Sequence, residues 1–186
     1  MLLVATSSPI DWRTTAQTDL IMGVSHKASD NTGCVQALSS DPRTSTASNL
    51  TALANICLDL AVANSTNSLG FVKKMDQEPS TSPDLKSVLD SCVKNYDFAV
   101  QSFQSAISDL KSDMSTAILD IKTAIDGPQS CRDELSKHSL SVPEISKRNR
   151  YIHLYSNIGD VITRTILDPI PSRQYRLRGS PVALHM

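Results

Sequence analysis

The side chains of this chain that could do chemistry are few and poorly placed for it. Of its four histidines, His26 and His138 fall in polar stretches, His153 lies beside an apolar stripe, and His185 sits near the end of the sequence. General acid–base catalysis needs such a group beside a partner in a pocket that separates their pKa values. His153 therefore reads as a surface or half-buried structural residue. Asp109 and Asp113, at i and i+4, could form a carboxylate pair, but their neighbourhood reads as a turn on a solvated face. No G-x-S-x-G, H-E-x-x-H, phosphate-cradling glycine loop or dinucleotide fingerprint occurs. The Glu-x-x-His pairs of metal-binding bundles are also missing, and none of the four cysteines lies in a C-x-x-C pair. No catalytic residue, metal or cofactor is expected. The chain does not read as an enzyme.

Four other groups remain, the cysteines, and a helical hairpin positions two of them. Leu85, Val88, Leu89, Cys92, Tyr96, Ala99, Val100, Phe103, Ala106, Ile107 and Leu110 recur in steps of three and four. That spacing makes one stripe along a helix of about seven turns. A returning stripe follows at Met114, Ile118, Ile121, Ile125, Cys131 and Leu135, with Pro128 bending or ending its face. The turn falls near Lys111 to Ser115, with Asp113 capping the returning helix. Antiparallel packing brings the start of the first helix near the end of the second, where Cys92 and Cys131 sit. A disulfide there would close a loop of about 40 residues, worth roughly 4 kcal/mol by chain entropy.

The rest of the chain supplies partners for this hairpin. At 186 residues, 40% of them apolar and only 4% aromatic, it suits one tightly packed helical domain. A net charge of −1 gives no general attraction to nucleic acid or to an anionic membrane surface. No apolar run approaches the ~20 residues needed to span a bilayer. Residues 1–13 read as an irregular leader whose apolar run is too short, and lacks the basic start, for a convincing signal peptide. Residues 14–41 read as a short helical hairpin ending before Pro42. Residues 45–167 read as four long helices, the first capped by a Ser or Thr at 44–46 and the second opened by Ser82–Pro83. The last helix carries Ile145, Tyr151, Ile152, Tyr155, Ile158, Val161, Ile162 and Ile166. Residues 168–186 read as a disordered, basic, proline-containing tail. The fold expected is all-α: an up-and-down four-helix bundle preceded by a short helical hairpin.

Cys57 falls on the stripe of the first bundle helix and reads as a buried free thiol. Asn49-Leu-Thr and Asn64-Ser-Thr are glycosylation tripeptides, relevant only to a secreted chain.

Taken together, the cysteine framework resembles the plant invertase and pectin methylesterase inhibitor family. CVQALSSDPRT from Cys34, VLDSCVKNYDFAVQSFQSAISDL and TAIDGPQSCRDEL carry the likeness, which runs from about Leu20 to Leu167. Within the family it is most similar to a pollen-allergen branch assigned to invertase inhibition. The resemblance implies a secreted, apoplastic protein of hairpin plus four-helix bundle, with two disulfides. One joins hairpin cysteines separated by eight residues, and the other corresponds to Cys92 with Cys131. That first spacing puts the partner of Cys34 at position 25, where this chain has Ser25. Cys34 is then left free, paired with Cys57, or linking two chains; free is the reading favoured. Invertase inhibitors of the family carry Pro-Lys-Phe where this chain has Met114, Ser115 and Thr116, so that motif is missing. The resemblance implies a monomeric inhibitor that blocks the cleft of a carbohydrate enzyme, pectin methylesterase or acid invertase, one to one. The alternative is a degenerate, non-inhibitory member or a pollen structural or allergen-like protein.

Overall fold

The computed structural model describes residues 12–168, within which there are seven α-helices, one 3-10 turn and no strand. The helices are α1 (Trp12–Ser25), α2 (Asn31–Ser39), α3 (Leu50–Gln77), α4 (Pro83–Asp109), α5 (Met114–Thr123), α6 (Asp126–Lys137) and α7 (Pro143–Leu167). The leader at 1–13 and the tail at 168–186 lie outside the described residues except for Trp12, Arg13 and Asp168. Trp12 and Arg13 open α1, so helix begins before residue 14.

Local chemistry sets most helix ends. Asp30 caps α2 by accepting from Gly33 N at 2.8 Å, which starts that helix three residues ahead of Cys34. The cap of α3 is Asn49 rather than a residue at 44–46. Pro42–Thr46 forms a 3-10 turn capped by Asp41, and the Ser45 and Thr46 hydroxyls donate back to Pro42 O and Arg43 O. Asn49 is the first free cap ahead of the apolar run, and it accepts from Ala52 N at 2.9 Å. Ser82 caps α4 with Pro83 in its first turn, and Asp113 caps α5.

The returning arm is two helices, not one. Pro128 has no N–H to bond to the carbonyl of Ala124, and its ring clashes with a carbonyl four residues back. Helix α5 therefore stops at Thr123, one turn before the proline, and Pro128 sits inside the first turn of α6.

Helices α3, α4, α5–α6 and α7 pack in up-and-down order. Arg148 Nη1 donates to Asn67 Oδ1 at 2.7 Å, while Cys57 lies against the Tyr155 carbonyl, so α3 and α7 run antiparallel. Ser156 donates to Ile121 O at 2.8 Å, and Asn149 Nδ2 to Pro128 O at 2.9 Å, which aligns α7 against α5 and α6. Tyr96, Phe103, Leu58, Ile121, Ile152 and Ile158 are among the fully enclosed side chains at the centre. Tyr151, expected on the buried stripe of α7, is 44% exposed. The expected Ile145, Ile152, Tyr155, Ile158 and Ile162 do point inward, joined by Asn149, Ser156, Gly159 and Thr163, whose polar members find partners inside.

The α1–α2 hairpin packs through Val24, Ser25, Cys34 and Leu38. It is tied to α7 by Ser29, whose N–H and hydroxyl both donate to Asn157 Oδ1, and by Lys27 Nζ on Thr165 Oγ1.

Candidate functional site

The α4–α5 turn presents the three residues singled out from the sequence. Asp113 Oδ1 accepts from Ser115 N at 3.0 Å and Thr116 N at 3.1 Å, and Oδ2 accepts from Thr116 Oγ1 at 2.8 Å. Three bonds to one carboxylate cap the first turn of α5. Met114 is half-buried, whereas Ser115 and Thr116 face solvent, and one turn on Leu119 is 60% exposed. The turn thus offers a fixed polar surface with an apolar side chain beside it.

Asp109 and Asp113 do not form a pair, because Asp113 is committed to the cap. Asp109 instead faces Asp120 across the turn. The Thr116 backbone and hydroxyl, followed by the Ser115 N–H, hold the Asp113 carboxyl below the usual carboxylate range. Burial, and then the charge of Asp109, push Asp120 above it. The two acids act on stability with opposite signs. Asp113 stabilises the fold above the ordinary carboxylate range, and that contribution is lost as pH falls through its lowered value. Asp120 holds its proton more tightly when folded, so stability is lost as pH rises from the ordinary range through its raised value. Asp120→Asn is accordingly expected to stabilise the protein at neutral pH and to change little in acid below the carboxylate range. Urea melts at the two pH values measure this, and equal shifts at both would contradict it.

The cysteines divide into a bonded pair and two buried thiols. Cys92 on α4 is bonded to Cys131 on α6, with their Cα atoms 4.7 Å apart. Cys34 and Cys57 are free and fully enclosed. Burial pushes both thiols up, which leaves them protonated and unreactive at neutral pH. Ser25 is also fully buried; its hydroxyl donates to Ile21 O at 2.7 Å and lies 3.3 Å from Cys34 Sγ. The serine oxygen is thus in contact with the Cys34 sulfur. Ser25→Cys is therefore expected to close onto Cys34 and stabilise the fold by roughly 2.5–3 kcal/mol, for a loop of about ten residues. Thiol titration of the unfolded, unreduced variant should find one free thiol, that of Cys57. Three would contradict the expectation.

The histidines are dispersed. His26 and His138 are exposed, and His185 lies outside the described residues. His153 is half-buried in an open cleft of about 670 Å³ lined by Lys122, Ile125, Asp126, Arg150 and Asn157 among others. Burial, and then the charge of Arg132, lower its pKa, so it is neutral at physiological pH. The serines of that cleft are occupied elsewhere: Ser156 donates to Ile121 O and Ser29 to Asn157. Asp30 caps α2, and Asp160 pairs with Arg164 at 2.8 Å. Neither serine is set against His153 as a nucleophile. Among the described residues no group of three or more His, Cys, Asp or Glu could hold a metal ion.

Two residues central to the architecture carry no sequence motif. Asn149 is buried, accepts from Tyr96 Oη and donates to Pro128 O, so one amide ties α7 to α4 and α6. Gly127 lies so close to α4 that a Cβ there would stand 2.0 Å from Asn95 O. Asn149 was detectable as a polar residue spaced four after Ile145 and three before Ile152. Gly127 gave no signal in the sequence beyond its place before Pro128.

The described residues form an all-helical bundle braced by one disulfide, with a capped α4–α5 turn. A sequence profile described as plant invertase/pectin methylesterase inhibitor matches residues 23–160, and the chain belongs to this family, whose members are inhibitors rather than enzymes. It is 29% identical over 136 residues to a pectinesterase inhibitor of Actinidia deliciosa, covering 72% of each chain. It is 27% identical over 122 residues to pectinesterase inhibitor 2 of Arabidopsis thaliana, covering 65% of this chain and 69% of that one. Its fold is similar to that of a mutant form of an Arabidopsis pectin methylesterase inhibitor, with a TM-score of 0.66 at 23% identity, covering 76% of this chain and 93% of that one. The crystal structure of a pectin methylesterase inhibitor from Arabidopsis thaliana gives 0.58 at 22% identity, over 79% and 95% of the two chains.

Proposed function

We propose that this protein inhibits a pectin methylesterase, docking one to one as a folded monomer and covering the enzyme's substrate cleft. The observation that carries this is the pair of curated relatives, both pectinesterase inhibitors, aligned across most of the domain. The structure fits the role in physical terms. A rigid surface loses little conformational entropy on binding, so more of the contact energy appears as affinity. Acid invertase is the less favoured target, since Met114, Ser115 and Thr116 stand where the invertase-directed members carry Pro-Lys-Phe. The protein would meet its target outside the cell, and among the described residues no helix is long and apolar enough to cross a membrane.

Parallel assays of purified pectin methylesterase and acid invertase at mildly acidic pH test the assignment. Loss of ester hydrolysis with sucrose cleavage unchanged is the expected result. Loss of invertase activity alone would reverse the target, and loss of neither at micromolar protein would overturn the inhibitor reading.

A further inference from the structure

We infer that Asn49 is an N-glycosylation site of this protein and that Asn64 is not, although both lie in an N-x-Thr tripeptide. The two asparagines differ in exposure and in backbone setting, although the third-position threonines, Thr51 and Thr66, are both exposed. Asn49 is exposed, just outside α3, with extended backbone (φ −160°, ψ 172°). Its cap bond uses only the side-chain oxygen, which accepts from Ala52 N; the amide nitrogen reaches no closer partner than Ser48 Oγ at 3.5 Å. Thr51, whose hydroxyl completes the tripeptide, is exposed as well. A glycan on Nδ2 leaves the carbonyl oxygen of the amide in place, so the modified residue still caps the helix.

Asn64 lies in the interior of α3, half-buried, with its Oδ1 closed off from solvent and without a hydrogen-bond partner. Ser65, beside it in the tripeptide, is wholly buried, and so is the hydroxyl of its side chain. A sugar at this position would project from the middle of a packed helix, beside the enclosed Oδ1 and the buried Ser65. Acceptor tripeptides belong to surface segments with accessible backbone, and only Asn49 has both.

The chemistry is a transfer from a polyisoprenoid pyrophosphate-linked oligosaccharide, the donor used in the secretory pathway. Asn49 Nδ2 forms a bond to the anomeric carbon of the first sugar, and the bond from that carbon to the pyrophosphate oxygen breaks. The lipid pyrophosphate leaves with the electron pair, and the amide nitrogen gives up one proton. The inference rests on passage through that pathway, not on the identity of the inhibited enzyme.

The test is to secrete the full chain from eukaryotic cells behind a supplied signal sequence and measure its mass before and after amidase release of N-glycans. One glycan is expected, with Asn49 converted to Asp on release. Asn49→Asp and Thr51→Ala should each abolish it. The first keeps a capping carboxylate and the second leaves the cap untouched, so neither loss reduces to misfolding. Asn64→Gln should leave the glycan in place. A glycan found at Asn64, or secreted protein carrying none, would overturn the inference.

Discussion

Replacing Cys92 and Cys131 together by serine is expected to lower the unfolding free energy by roughly 4 kcal/mol, the chain-entropy value for a loop of about 40 residues. For a domain of this size that is a fall of about 10 °C in Tm. The effect is large because the bond joins the middle of α4 to α6 across a sequence separation of 39. No second bridge braces the described chain, since Cys34 and Cys57 are both free. Denatured, unreduced wild-type protein should titrate with two thiols. Four thiols would show that the bond is absent in solution. A loss below about 1 kcal/mol would show that the unfolded chain is not appreciably constrained by it.

Gly127→Ala is expected to cost about 3 kcal/mol or more, beyond the usual range for one added methyl group. The atom that the new Cβ meets is a backbone oxygen, that of Asn95, at 2.0 Å, with the Asn95 carbonyl carbon at 2.8 Å. A side chain could rotate away; a carbonyl inside α4 cannot without breaking its helix. Helix α6 must therefore back off at the interface that holds Cys92–Cys131, which also disturbs the hydrogen bond from Asn149 of α7 to Pro128 O. Gly70→Ala is the matched control. Gly70 is exposed within α3, a Cβ there meets nothing within 4 Å, and helix propensity alone predicts a gain of about 0.5–1 kcal/mol. Urea denaturation should show opposite signs for the two variants. Equal shifts would mean that α6 does not approach α4 as closely as described.

These interfaces show what could be read from the sequence and what could not. The limits of α4 were legible because Ser82, Pro83 and Asp113 act on their own helices. Its buried face was legible because every inward residue is apolar or small. The break between α5 and α6 was harder to place, since Pro128 exerts its effect on a carbonyl four residues upstream. The inward face of α7 was misassigned in part for a different reason. Asn149, Ser156 and Thr163 are buried because α6, α5 and the helix itself supply acceptors for them, and a hydropathy stripe does not register partners. Tyr151 entered the stripe in their place and is half-exposed. The same limit applies to Asp109, whose facing acid is Asp120 across the turn rather than Asp113 on the capped end. The family's hairpin cysteine spacing picked out Ser25, but not that its hydroxyl would contact the Cys34 sulfur.

The central claim is that this rigid bundle works by occupying an enzyme's cleft, with no chemistry of its own. It is tested most directly by titrating a fixed amount of purified pectin methylesterase with the disulfide-intact protein at mildly acidic pH. Ester hydrolysis and the hydrodynamic size of the mixture are followed together. Activity should fall in a straight line to near zero at one equivalent, with both chains eluting as a single one-to-one complex. Full activity at several equivalents, with the two proteins eluting separately, would contradict the account.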